Sequence, residues 1–532
     1  MTIWCRVKTW CVAATLSLLL AAAPALGADP ALVVSLKSFN ELTNDAQYLG
    51  TVLNQPQLGA MLPVLVANAA GGQLPKGFDT TRPIVGYVTL SPTGQTDGGA
   101  LCLPVTNAKD FAAALAAILP DSTKDGDTTT YQIPNSPFPV VGKAGPKYYY
   151  LSVLPDALRE LPDPEKLTTT KADIAIEVNL ARIPDNLKES FLSQGEAAAV
   201  LPDSPDLSED DRRAQELGQK IMLAGVRRLV MDGDRLSVGL NVDTAAKNLA
   251  LSIGLTSKSG TALAAACSNL SKTESPFGGL ISPQTIASLV FSAPLNDEGR
   301  KVFDLMIGGF EKGAVQSVQR NQKFSDSDRA ANETFFKRLS EMMKQTAGLS
   351  RVDQALVVTP AGAGKIQLTS VSKVAKGKQL ASLLEEALKK DAARSGSELK
   401  LGVATVAGSR VHSVKVPDDG KSPFGDRLAH FVVTPELAVV VAGGDSLVAL
   451  RKALEAKPAK TPAPIALRVK LANLLPTLPP ASALPAEITQ SALADGRDEV
   501  NLEIAGQTTG TKIRLEIQEG VLKLIGLAAS QR

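Results

Sequence analysis

Two stretches of the chain, ADIAIEVNLARIPDNL at residues 172–187 and APIALRVKLANLLPTL at residues 463–478, agree at seven of sixteen positions with a spacing of 291. The identities include Ile174/Ile465, Val178/Val469 and Leu180/Leu471. Alternating apolar strands match cheaply by chance, so the flanks must carry the argument. Upstream, Tyr148-Tyr149-Tyr150 precedes Ala157-Leu158-Arg159, and Val439-Val440-Val441 precedes Ala449-Leu450-Arg451. Tyr131-Gln132-Ile133-Pro134 pairs with Val414-Lys415-Val416-Pro417, and Lys109-Asp110-Phe111 with Lys378-Gln379-Leu380. Asn44-Asp45 and Asn296-Asp297 are each read as opening a helix after an apolar strand. Chance does not keep such an order, so the sequence predicts a tandem duplication.

The fold class that follows is α+β: two homologous lobes, residues 29–275 and 276–532, each a largely antiparallel sheet covered by helices. The boundary is placed in SKTESPFGGLISP, where Gly, Pro and Ser concentrate. In the first lobe, strands are expected at 32–37, 84–90, 100–105, 236–242 and 249–256, with helices at 47–53 and 108–118. Strands with one apolar face need a cover, and amphipathic helices are expected to supply it. Asp232-Gly233-Asp234 reads as a hairpin turn between strands. The first lobe carries SEDDRRAQELGQKIMLAGVRRLV before its last strands, with Ser208 as its cap. The second is expected to elaborate its front half with long helices at 297–319 and 328–345.

Residues 1–28 read as a secretory signal peptide. Arg6 and Lys8 give a basic start, residues 12–23 are almost wholly apolar, and Ala25-Leu26-Gly27 offers small residues for cleavage. Export to the periplasm or the extracellular space is expected, with no transmembrane segment in the mature chain. Removing the leader takes both tryptophans, Trp4 and Trp10, and leaves only Cys102 and Cys267. These two could form one disulfide, but a strand and a helix rich in alanine both suit buried free thiols.

Several motifs imitate chemistry. Pro360-Ala361-Gly362-Ala363-Gly364-Lys365 resembles a phosphate loop, but Thr359 and Ile366 stand where a Gly and a hydroxyl residue belong, and no helix follows. It reads as a hairpin. Ser370-Val371-Ser372-Lys373 has the spacing of an acylating Ser-x-x-Lys pair, yet it continues an alternating strand, where residues three apart face opposite sides. His412 and His430 are the sole histidines, both on strands, and read as structural. Tyr148, Tyr149 and Tyr150 read as core. Carboxylates cluster where helices start, and with aromatics at 4% no sugar-stacking or nucleic-acid surface emerges. No catalytic, cofactor-binding or metal-ligating residue is assigned.

Charge divides along the chain. Residues 29–280 hold 21 basic and 28 acidic side chains, a difference of −7, and residues 281–532 hold 33 and 26, a difference of +7. Attraction between lobes, or head to tail between molecules, is one reading; two independently solvated surfaces is the other.

GYVTL followed by GALCLPVTNAKDF, then KYYYLSVLPDALREL, ADIAIEVNLARIPDNLKESFL and RVHSVKVP, resembles a family of large, exported, uncharacterised proteins of planctomycete bacteria. The likeness extends over most of the mature chain and lies in strand and turn patterns, so it implies export and a single fold without supplying site residues. The expected function is a non-catalytic structural or binding protein of the bacterial cell envelope with an unknown protein or envelope partner. The alternatives are a hydrolase using carboxylates between the lobes and a carrier of apolar ligands.

Overall fold

The computed structural model of the protein describes residues 29–69, 73–119, 121–133, 138–198, 209–321, 324–362, 365–395, 397–415, 423–424, 428–456, 463–477 and 485–530. The expected leader and the expected cap Ser208 lie outside these. Contacts divide the chain into two units, one of residues 1–200, 226–263 and 522–532, the other of residues 201–225 and 264–521. The lobes drawn from the sequence differ from these units in residues 201–225, 264–275 and 522–532.

The first unit opens with β1 (Leu32–Ser38), a helical pair α1 (Phe39–Val52) and α2 (Gln57–Ala69), and the hairpin β2 (Pro83–Leu90) and β3 (Thr96–Pro104). Then come α3 (Ala108–Ile118) and four short strands, β4 (Ser122–Asp125), β5 (Thr128–Tyr131), β6 (Val140–Ala144) and β7 (Tyr148–Ser152). After β8 (Ile174–Asn179) follow α4 (Asp185–Ala198), α5 (Glu209–Asp232), β9 (Gly233–Asp243), β10 (Asn248–Ser257) and α6 (Ala262–Ser271), of which α5 up to residue 225 and α6 from residue 264 belong to the second unit. Every described pairing is antiparallel, in the order β4-β5-β6-β7-β3-β2-β1-β8-β9-β10. Short hairpin connections dictate this.

The second unit contains β11 (Ala287–Pro294), the helical pair α7 (Asp297–Arg320) and α8 (Asp326–Ala347), then β12 (Arg351–Pro360) and β13 (Ile366–Lys373). Next are α9 (Gly377–Ser395), β14 (Glu398–Val406), β15 (Ser409–Lys415), β16 (Leu428–Val433), β17 (Leu437–Ala442) and α10 (Ser446–Glu455). The chain closes with β18 (Ile465–Lys470), α11 (Leu471–Leu474), α12 (Ala486–Leu493), β19 (Glu499–Gln507), β20 (Gly510–Gln518) and α13 (Glu519–Ser530), whose residues from 522 on belong to the first unit. The strand order is β14-β15-β16-β17-β13-β12-β11-β18-β19-β20, the same as in the first unit with ten added to each number.

Registers agree as well as order. Ile174 lies opposite Leu36 and Leu240, and Ile465 lies opposite Phe291 and Ile504. Around β7 the constant spacing of 291 breaks down. Tyr150 opposes Cys102 on β3, and Val439 opposes Val371 on β13, a spacing of 289. The slip is two residues, so it leaves the inward-facing side chains inward.

Several local expectations are corrected. Asn44-Asp45 does not start a helix; it lies inside α1, which Ser38 caps by accepting from the Glu41 N–H at 3.2 Å while donating to Glu41 Oε2 at 2.6 Å. The weak helix formers Thr43, Asn44 and Asp45 hid its first turns. Helix α2 contains Pro63, which reads as a breaker in sequence. The long helices of the second unit are therefore not an elaboration without parallel, because a shorter helical pair stands between β1 and β2. Asp232-Gly233-Asp234 is the junction of α5 with β9 and not a hairpin; a Cβ on Gly233 would meet the Leu229 carbonyl oxygen at 2.3 Å.

The core of the first unit is aromatic on both faces of β7. Tyr148 and Tyr150 pack with Val85, Cys102 and Leu158, while Tyr149 turns to Phe111 and Tyr131, its hydroxyl 2.8 Å from that of Tyr131. All three β7 tyrosines are buried, in line with their reading as core. In the second unit Leu450 of α10 seats on Val371, Val432, Val439 and Val441. Val440 on β17 is 45% exposed, so that strand is covered on one face only.

Candidate functional site

Beyond these cores, β1, β8, β9 and β10 depart from the expected arrangement. Leu36, Ile174, Leu240 and Leu251 stand opposite one another in one row across the four strands. Two residues along, Val34, Ile176, Val238 and Ile253 form a second row. Leu32, Val178, Leu236 and Leu255 form a third. Side chains two apart on a strand share a face, so all twelve lie on one side of the sheet. None of the twelve is buried, and Ile174 and Ile176 are 39% and 40% exposed.

The opposite side of the same strands carries small and polar residues, and it is the covered one. Val33, Ser35, Ala175 and Glu177 are all buried there. Glu177 accepts from the Thr169 and Thr170 N–H groups at 2.8 and 2.6 Å and from the Thr168 and Thr169 hydroxyls at 2.9 and 2.8 Å. Arg235 approaches at 3.4 Å. Burial pushes the Glu177 pKa up, but these hydrogen bonds outweigh it and hold the carboxyl below its ordinary range. A 180 Å³ recess lies over this carboxylate, bordered by Asp29, Lys166, Asn179 and Arg235. With its lone pairs filled, Glu177 is a structural clamp on residues 168–170.

The second unit repeats the aliphatic face. Leu289, Leu467, Leu502 and Leu515 make the middle row. Phe291, Ile465, Ile504 and Ile513 lie on one side of it, and Ala287, Val469, Val500 and Ile517 on the other. Again none is buried, with Leu289 and Leu467 at 41% and 37% exposure. The expected helical cover thus leaves this side of the strands unburied in both units. On the reverse side Arg468, Arg514, Glu503 and Glu516 alternate with them. Apolar helix residues are open in the second unit too, with Met306 and Phe310, one turn apart on α7, 69% and 47% exposed.

The catalytic look-alikes resolve as structure. Pro360 and Ile366 close a hairpin, with the Ala361 N–H donating to the Lys365 carbonyl at 2.8 Å; Ala363 and Gly364 lie outside the described residues. Ser370 and Lys373 lie on strand β13. His430 Nδ1 is 2.7 Å from Ser446 Oγ at the first residue of α10, a spacing suited to a base and a nucleophile. Ser446 is only 1% exposed, however, which suits a tie between α10 and β16 rather than attack on a substrate. His412 stacks on Phe431 with centroids 5.0 Å apart, and its Nε2 lies 3.3 Å from Glu385. Burial lowers its pKa, against the pull of Glu385. Cys102 and Cys267 are free and buried. Burial pushes the Cys102 thiol far up, out of the reactive range.

Carboxylates do meet at the start of α1. Asp173, almost fully buried, accepts from the Val242 N–H at 2.5 Å and holds Lys37 at 3.0 Å. Lys37 also reaches Glu41 at 3.4 Å. Asp45, one turn further along the helix, has a buried Oδ2 with no hydrogen bond. Burial, with the Asp173 charge adding to it, pushes Asp45 up to about 6. Sequence reasoning missed this cluster because its members come from a strand, a helix and the segment before β8. Among the described residues no group of three or more His, Cys, Asp or Glu is placed to hold a metal ion. No described helix is long and apolar enough to cross a membrane.

No protein-family model, no curated protein and no solved structure matches this chain.

Proposed function

We propose that the protein is an exported, non-catalytic binding protein of the bacterial cell envelope, and that the aliphatic sheet faces are its binding surfaces. The observation that carries the reading is the pair of faces itself. Twelve apolar side chains stand in three cross-strand rows in each unit, and all twenty-four escape burial. Four of the twenty-four are exposed and the other twenty half-buried; fully burying an aliphatic side chain is worth about 1.5–3 kcal/mol, so the fold forgoes part of that gain across both faces. Exposed contiguous apolar surface on a folded protein marks interaction sites. The basic, apolar and small-residue succession in residues 1–28 supports export. The matching strand orders and registers support descent of the two units from one doubled ancestor.

An apolar fluorescent dye tests the binding claim directly. The native chain should enhance anilinonaphthalene sulfonate fluorescence at a temperature well below its unfolding transition. Polar substitutions Ile176→Ser and Leu467→Ser should each remove part of that signal. A native chain that leaves the dye dark, with enhancement appearing only as it unfolds, would sink the proposal.

A further inference from the structure

Independently of the binding reading, we infer that His412 makes α9 an acid-released helix: a proton on its ring loosens α9 from β15 and β16, and the matching helix of the first unit has no such response. His412 is 4% exposed and lies on β15 with Phe431 of β16 directly opposite. The two rings stack, with an angle of 22° between their planes. His412 Nε2 lies 3.3 Å from Glu385 of α9, whereas Nδ1 is buried with no hydrogen bond. That geometry assigns the neutral tautomer: Nε2 carries the proton and donates to Glu385, and Nδ1 keeps its lone pair. Charging the ring puts a second N–H on Nδ1, inside the fold, with nothing to accept it.

The surrounding charges do not repair this. Lys389 stands one turn past Glu385 on α9, and Arg410 lies two residues before His412 on the same face of β15. Both repel an imidazolium, and Glu385 attracts it. On β14, Glu398 and Lys400 are in register with Lys415 and Ser413, so they face the other side of the sheet. On β16, His430 is in register with Ser413 and likewise faces away, towards Ser446. Glu386, next along α9, is taken by Arg338 and Lys390 at 3.7 and 2.9 Å. Burial weighs most in the balance, so the folded chain binds this proton less readily than the opened one. The tie is therefore at full strength above the ordinary imidazole value of 6.5 and weakens as pH falls below it.

The repeated strand order carries its own control. Thr129 holds the place of His412 and Gly142 that of Phe431, because Gly142 pairs with Leu151 as Phe431 pairs with Val440. There α3 is tied by rings. Phe111 meets Tyr149 at 5.4 Å, and the Tyr149 and Tyr131 hydroxyls pair. A Cβ on Gly142 would meet those two tyrosines at 2.6 and 2.9 Å, so no side chain like Phe431 fits. None of these groups is an imidazole.

Amide hydrogen exchange of the full chain, followed by mass spectrometry at pH 7.5 and 5.0 and corrected for intrinsic rates, tests the inference. Opening within α9 should rise in acid by between about threefold and thirtyfold, the upper limit being what one imidazole of ordinary value can supply over that interval. Peptides from α3 should not change. His412→Gln keeps an N–H donor for Glu385 and does not titrate, so it should flatten the α9 response. Glu385→Gln, at a half-buried position, should deepen the response, because the charge that favours the imidazolium is gone. Unchanged α9 exchange in the parent, an acid response that survives His412→Gln, or equal opening of α3 would each overturn the inference. If His412→Gln does not fold, Glu385→Gln decides alone, since a response caused by titration of Glu385 itself would vanish in that variant rather than grow.

Discussion

Buried carboxylates with opposite surroundings make the sharpest contrasts at the scale of single residues. Glu177 has four close hydrogen bonds and Arg235 at hand, whereas Asp97, only 3% exposed, has two buried oxygens with no hydrogen-bond partner. Removing an acceptor that satisfies several donors strands those donors, so Glu177→Ala should lower unfolding stability by about 2–4 kcal/mol in urea titrations. Asp97→Asn should fall within about 1 kcal/mol of the parent, since no partner is lost. Glu177 and Asp45 separate in their pH dependence. The Glu177 carboxyl is held below its ordinary value in the folded chain, so its contribution is present near neutrality and fades as pH falls through the folded pKa. Asp45 runs the other way. Its folded value of about 6 lies above the ordinary 3.8, so the native state keeps the proton longer and stability declines as pH rises between these limits. Asp45→Asn should therefore stabilise the protein by about 1–2 kcal/mol at pH 7.5, after discounting for partial exposure, and by nothing below pH 3.5. Equal effects at both pH values would refute the assignment.

Among the elements, helix ends and strand-to-helix turns show the strongest local control. Helix α8 begins with a capping box in which Ser325 Oγ accepts from the Asp328 N–H at 3.1 Å and Asp328 Oδ2 accepts back from the Ser325 N–H at 3.3 Å. Ser325→Ala should destabilise by about 1 kcal/mol. The turn from β17 into α10 is more demanding. Gly443 has φ +81°, and a Cβ there would meet the Ile366 carbonyl oxygen at 2.5 Å. Gly443→Ala should thus cost about 2–4 kcal/mol by adding a backbone clash to a left-handed conformation. Because α10 supplies Leu450 to the second unit's core, the loss should appear as a lowered denaturation midpoint with an unchanged slope.

For the whole molecule, the same order of ten strands occurs twice, each time with cores around the middle strands and an open aliphatic surface beyond them. A charged residue on that surface should leave the fold intact. Ile176→Lys and Leu467→Lys should each remain within about 0.5–1 kcal/mol of the parent, as exposed substitutions do, while raising solubility measured by ammonium sulfate precipitation. Loss of several kcal/mol would mean that the faces are packed in solution.

Much of this architecture is written in the chain itself. Strict alternation in IAIEVN, IALRVK and TKIRLEI announces two-faced strands, and the paired segments at 172–187 and 463–478 locate strands that occupy matching places. Tyr148, Tyr149 and Tyr150 were legible as core from the matching run Val439-Val440-Val441, although Val440 itself is 45% exposed. The hairpin between β12 and β13 was legible because the segment links two alternating strands and feeds no helix. Periodicity specifies that a strand has an apolar side, but not whether another element will lie on it. That depended on tertiary structure, which covered the small, polar side of β1 and β8 and left the aliphatic rows open. The carboxylate cluster of Lys37, Asp45 and Asp173 was likewise invisible, since those residues meet only when distant segments of the backbone converge. Local patterning is set by steric and hydration preferences of neighbouring residues, whereas burial is a property of what arrives from elsewhere in the chain.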